Sequence, residues 1–115
     1  MKELLMHGDV LIKPIDSLPN GVKVIEKRLA KGSHITRPDW ILAEGEHTGH
    51  AHRVVCDDKA AEMYERDGVL YLKVNEAVEV SHEEHHTKPI RPGLYEIGYQ
   101  REFDYLTQME RQVMD

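Results

Sequence analysis

The sequence predicts a mainly β protein, a small single-domain barrel or sandwich built from short strands. Two observations predict it: short apolar runs rich in β-branched residues, and turn-forming residues that separate these runs at roughly eight- to twelve-residue intervals. A length of 115 residues with 40% hydrophobic content allows one modest core. We therefore expect one β-rich domain over residues 1–115.

The first half of the chain carries four predicted strands. Val10-Leu11-Ile12 is followed by the turn residues Leu18-Pro19-Asn20-Gly21, and a second extended run covers residues 22–30. A third begins at Trp40-Ile41-Leu42-Ala43, and residues 50–56 resume an extended run after a loop. These runs are short and are separated by Pro and Gly, as in all-β domains.

The second half adds four extended segments: Met63-Tyr64, Val69–Val74, Ala77–His82 and Ile90–Tyr99. Asp67-Gly68 predicts a tight hairpin between the first two. Residues 57–65 are compatible with a short helix or with a turn followed by a strand. Pro92-Gly93 predicts a turn or bulge inside the last run, and apolar residues spaced by three and four within 104–115 predict a short C-terminal helix.

Charge and cysteine content exclude several function classes. A formal net charge of −6 argues against nucleic-acid binding through phosphate contacts. Cys56 is the single cysteine, so it forms no intrachain disulfide and fits a small buried apolar position. The sequence shows neither a membrane-spanning apolar run nor a signal sequence, so we expect no membrane partner and a cytoplasmic location.

Histidine is concentrated in two segments of the chain. Six of the eight histidines lie there: His47, His50, His52, His82, His85 and His86. Glu44, Glu46, Glu83 and Glu84 lie in the same segments. Because neutral imidazole and carboxylate are common ligands of divalent transition metals, the two segments predict a metal site.

Strand alternation gives these histidines a direction. Residues two apart on a strand share a face, so His50 and His52 lie on the same face as Val54. Val78 and Val80 lead in the same way to His82, which we expect to point inward at the rim of the core. Three such imidazoles can converge on one ion at about 2 Å from each nitrogen.

The remaining ligand and the catalytic groups stay open between several residues. Glu84, His85 or His86 is the candidate fourth ligand, and His85 completes the predicted set of His50, His52 and His82. Zinc is favoured, with iron, nickel and manganese as alternatives. Glu84 or Glu46 is the candidate general base if bound water is activated.

A metal-free interpretation is the alternative. In it His50 and His52 form hydrogen bonds with backbone or carboxylate groups, and residues 82–86 form a solvated turn that responds to pH. His7 and His34 stand apart from both histidine segments and are predicted to lie at the surface or in turns.

Two resemblances bear on function. Gly49-His50-Ala51-His52, followed by His82-x-Glu84 and then by Pro89-Ile90-Arg91-Pro92-Gly93, resembles the cupin pattern. It implies a small β-barrel that holds iron, manganese, nickel or zinc, with His50, His52 and His82 as ligands. The acid expected after His52 and the histidine expected after Pro92-Gly93 are absent. The whole chain also resembles small uncharacterised proteins of bacterial and phage genomes, which implies no particular activity.

These observations favour a binding or assembly module in which histidines from two strands hold a divalent ion. Its partners would be further copies of itself or other components of an assembly, including a virion if a phage encodes it. A metal-dependent hydrolase or oxygenase with an open coordination position is one alternative, and a metal-free structural or interaction protein is the other.

Overall fold

A computed structural model describes residues 4–32, 35, 37–44, 50–83 and 86–99, which form ten β-strands. In chain order the strands are β1 (Leu5–His7), β2 (Val10–Ile15), β3 (Lys23–Ile25), β4 (Trp40–Glu44), β5 (Ala51–Val55), β6 (Ala61–Arg66), β7 (Val69–Val74), β8 (Val78–Ser81), β9 (Lys88–Ile90) and β10 (Gly93–Tyr99). The mainly β prediction is confirmed, and the described residues contain no helix.

The strands form two antiparallel sheets within this described part. The larger has the order β1-β2-β10-β7-β6-β3, and the smaller has the order β4-β5-β8-β9. Neighbours in both sheets pair antiparallel. Of the two predicted architectures, the described strands therefore adopt the sandwich and do not close into a barrel.

Residues of both sheets share one hydrophobic core. Ile12 and Leu72 of the larger sheet belong to the same buried cluster as Val54 and Val80 of the smaller sheet, and each of the four is 0% exposed. Burial alternates along β8, where Val78 and Val80 are buried on either side of exposed Glu79. The period of two that the sequence shows along this strand thus directs one of its faces into the core.

A tight turn joins β6 to β7 where Asp-Gly predicts it. Asp67 has a φ of 52° and Gly68 a φ of 81°, and the flanking pair is Arg66 with Val69. Positive φ at both central residues is the type I′ geometry, which matches the twist of the two strands. Within residues 57–65 a turn at 58–60 leads into β6, so this segment is a turn followed by a strand and not a short helix.

Two predicted segments differ in extent from the observed strands. The run 22–30 is a strand only over Lys23–Ile25, because the chain then leaves the larger sheet and Ala30 packs with Ile41 and Ala51 of the smaller one. The run 90–99 divides at Pro92-Gly93 between β9 of the smaller sheet and β10 of the larger. The predicted C-terminal helix within 104–115 lies outside the described residues.

Glu44 holds the segment of residues 28–31 against the end of β4. Its carboxylate accepts a hydrogen bond of 2.5 Å from the Arg28 guanidinium and one of 2.7 Å from the Lys31 backbone N–H. The Arg28 hydrogen bond lowers the pKa of Glu44 most; burial raises it, and the Lys31 N–H lowers it further, so that the net pKa is below its ordinary value. The ion pair between Arg28 and Glu44 therefore has a structural role at the end of β4.

Replacement of Gly68 tests the turn. Gly68→Ala should lower the free energy of unfolding by about 1–2 kcal/mol, because an L side chain is disfavoured at its φ of 81° although no atom lies within 4 Å of the added Cβ. Gly98→Ala is the matched control: its Cβ meets Leu11 at an ordinary 3.8 Å. Urea unfolding of both variants measures the difference, and equal stabilities would contradict the assigned turn.

Replacement of Glu44 tests the ion pair. Glu44→Gln should cost about 1 kcal/mol at pH 7, since it removes a charge-assisted hydrogen bond at a partly exposed site. Because the folded-state pKa is lowered, the loss should be complete above the ordinary carboxyl pKa and should vanish as the pH falls through the folded-state value. Urea unfolding from pH 7 to pH 3 measures it, with Glu79→Gln at an exposed position of β8 as control. A loss independent of pH would refute the assignment.

Candidate metal centre

The pairing of β5 with β8 brings the two histidine segments together. Arg53 pairs with Ser81, and the next positions along this antiparallel ladder are His52 and His82. Their rings lie with centroids 4.3 Å apart and planes inclined at 36°. The predicted meeting of histidines from two neighbouring strands is thus present.

Three side chains at this place offer ligand atoms to one point. Ring nitrogens of His50 and His82 and a carboxylate oxygen of Glu83 all lie within 4.8 Å of one another. The rings of His50 and His82 are nearly perpendicular, at 86°, with centroids 5.6 Å apart. His50 and His82 are half-buried and Glu83 is exposed, so the cluster opens toward solvent.

Glu83 is anchored to β5 by both carboxylate oxygens. One accepts a hydrogen bond of 2.9 Å from the Ala51 backbone N–H, and the other one of 3.0 Å from the guanidinium of Arg53, which is buried. Burial raises the pKa of Glu83, but these two groups, its own backbone N–H and nearby His82 outweigh it and leave the pKa below its ordinary value. A carboxylate has about four lone-pair positions, so an anchored Glu83 retains capacity to bind a cation.

His52 lies beside this cluster, but its nitrogens face another way. Its Nδ1 is 2.8 Å from Nδ1 of His7, and its Nε2 is 3.8 Å from a carboxylate oxygen of Asp9. The convergent atoms therefore come from His50, His82 and Glu83, while the predicted ligand His52 contacts His82 through its ring. Glu83, which was not among the predicted ligands, supplies the third atom of this set.

The prediction for His7 is wrong: this histidine is 0% exposed. It lies on β1, a strand that the sequence reasoning missed, and alternation places it on the inward side with Leu5 while Met6 is exposed. The signal was available, because Leu5-x-His7 is followed by Gly8-Asp9, a two-residue hairpin sequence in which Gly8 has a φ of 61°.

Several predicted residues lie outside the described part of the chain. They are His34, Glu46, His47, Glu84 and His85. His86 is described and exposed, and its backbone carbonyl accepts a hydrogen bond of 2.8 Å from Nε2 of His7. Alternation pointed to Glu84 as the acid next to His82. The strand ends at Ser81, however, so strand alternation does not set the directions of the His82 and Glu83 side chains.

The described residues define an antiparallel β-sandwich with two histidines and one carboxylate clustered at the ends of neighbouring strands. The chain belongs to the family described as a domain of unknown function (DUF8820), which matches residues 6–100. Searches among curated proteins and among solved structures found no match. The described residues include no helix with the length and apolarity that a bilayer-spanning segment requires.

Proposed function

We propose that this domain is a metal-binding module that holds one divalent transition-metal ion through His50, His82 and Glu83. The observation that supports it is the convergence of their ligand atoms within 4.8 Å at the junction of β5 and β8. Two imidazoles with one carboxylate suit zinc, the ion we favour, and iron, nickel and manganese are the alternatives.

Binding requires a modest closure of the cluster. Ligand atoms around a tetrahedral zinc ion lie about 3.4 Å apart, given bonds of about 2.1 Å. To reach this spacing, the half-buried rings of His50 and His82 must move toward the carboxylate of Glu83. The anchors from Ala51 and Arg53 keep Glu83 close to the metal position before an ion arrives.

The role we favour is a binding or assembly module, in which the ion joins the ends of β5 and β8 and so fixes the surface around them. This role asks only for a stably held ion. Its partners would be further copies of this chain or another protein of an assembly.

A metal-dependent hydrolase or oxygenase is the second candidate. Three protein ligands are the number that catalytic zinc sites keep, with the fourth position left to water. In that case the proposed general base is Glu84 or Glu46. Glu84 directly follows the ligand Glu83 in the sequence, and Glu46 precedes the ligand His50 by four residues.

Metal content tests the proposal directly. Protein purified without a histidine tag, loaded with zinc and freed of excess ion, should retain about one zinc per chain by elemental analysis. Removal of an imidazole ligand in His50→Ala or His82→Ala should weaken binding at least about tenfold in isothermal titration calorimetry. His86→Ala is the control, because that exposed side chain is outside the cluster. Wild-type protein that takes up none of zinc, iron, nickel or manganese contradicts the proposal.

Glu83→Gln separates the carboxylate's role as ligand from its role as anchor. Glutamine keeps an oxygen for the Ala51 N–H or Arg53 but lacks the charge, so zinc affinity should fall about tenfold while the metal-free fold persists. Thermal unfolding with and without zinc measures both, because saturation at 100 times the Kd adds about 2.7 kcal/mol of stability. If the zinc-induced shift in Tm equals that of wild type at every concentration, Glu83 is not a ligand.

A further inference from the structure

A buried pair of imidazoles lies directly behind His82. His7 and His52 are 0% and 5% exposed, and their Nδ1 atoms are 2.8 Å apart. The rings meet edge to face at 83°, with centroids 4.9 Å apart. The other nitrogen of His7, Nε2, is 2.8 Å from the carbonyl oxygen of His86.

These contacts fix the direction of the hydrogen bonds. The His86 carbonyl only accepts, so Nε2 of His7 carries the hydrogen and donates it. Complete burial favours the neutral ring of His7, whose Nδ1 is then bare and must accept. The hydrogen between the two Nδ1 atoms therefore belongs to His52, whether or not Nε2 of His52 also carries one beside Asp9.

The hydrogen bond between His7 and His52 thereby connects the two sheets of the sandwich. It comes from β1 of the larger sheet, accepts from His52 on β5 of the smaller sheet, and donates to the segment that leads into β9. This hydrogen bond restricts the rotation of the buried His52 ring, and the orientation of His52 decides the surface against which the ring of His82 packs, with the centroids 4.3 Å apart.

We propose that His7 is a positioning residue of the metal centre: its hydrogen bond fixes His52, and His52 holds the ring of His82 toward His50 and Glu83. The inference rests on the proposed metal binding. It assigns to a residue of the first strand, which has no place in the ligand set, a role like that of the groups that orient metal-bound histidines.

Two substitutions of His7 differ in what they offer to His52. His7→Gln can still reach the His86 carbonyl but presents no acceptor at the position of Nδ1, so the zinc Kd should rise about tenfold. His7→Asn places a carbonyl oxygen near the position of Nδ1 and should restore most of the affinity. Calorimetric titration with zinc chloride compares both with wild type. Unchanged affinity in His7→Gln, or an equal loss in both, overturns the positioning role.

A spectroscopic measurement tests the hydrogen-bond directions without metal. Long-range proton–nitrogen correlation spectra distinguish protonated from bare ring nitrogens. In the metal-free wild type they should show hydrogen on Nε2 of His7 and on Nδ1 of His52, and none on Nδ1 of His7. The reverse pattern overturns the inference even if zinc binds.

The two proposals fail in different ways. If wild-type protein binds no metal, the proposed function falls and the positioning role falls with it. If wild type binds zinc and His7→Gln binds it equally well, only the role of His7 is lost. Should His7→Gln fail to fold, the wild-type spectrum and the zinc affinity of His7→Asn decide, and an Asn variant tenfold weaker despite its acceptor contradicts the role.

Discussion

The antiparallel pairing of β5 with β8 is the constraint on which the candidate site depends. Its register pairs Arg53 with Ser81 and Val54 with Val80, and so sets which residues of each strand enter the core. A slip of one residue would turn every side chain of the strand to the opposite face. His52 would then leave the interior, and Arg53 would replace Val54 among the core residues.

Several buried polar side chains lie at the end of the pairing between β5 and β8. His7, His52 and Arg53 are all buried, and each has a hydrogen-bond partner at 2.8–3.0 Å. Buried polar groups destabilise a fold unless they are paired, so such a cluster persists only as a connected network. Here the hydrogen bond between His7 and His52 connects the two sheets, and Arg53 holds the carboxylate of Glu83 at the end of β5.

Much of this arrangement could be predicted from periodicity. Alternation placed Val54 and Val80 inside and directed His52 and His82 to the same region, because both strands are long enough to show the period of two. The Asp67-Gly68 hairpin followed from a local backbone preference that few other residue pairs satisfy. In each case the information lies within a few consecutive residues.

The parts that escaped prediction depend on information that lies elsewhere in the chain. The turn sequence Gly8-Asp9 marks the end of β1, but this strand has three residues, too few for periodicity alone to reveal the inward direction of His7. Glu83 enters the cluster because β8 ends one residue before His82, and the exact end of a strand is weakly encoded. Pro92-Gly93 predicted a turn or bulge inside the run 90–99, but the assignment of its two halves to different sheets depends on which neighbouring strands pair with each half.

The outer strands of both sheets have a further consequence for how this domain meets other molecules. β1, β3 and β9 each have three residues, and Pro89 gives β9 no N–H at its centre. Next to the fourth edge, β4, Arg28 bridges Asp39 through two backbone hydrogen bonds. Edge strands that are short, interrupted by proline or already paired offer a poor template for an incoming strand. Association by extension of either sheet is thereby disfavoured along the described edge strands.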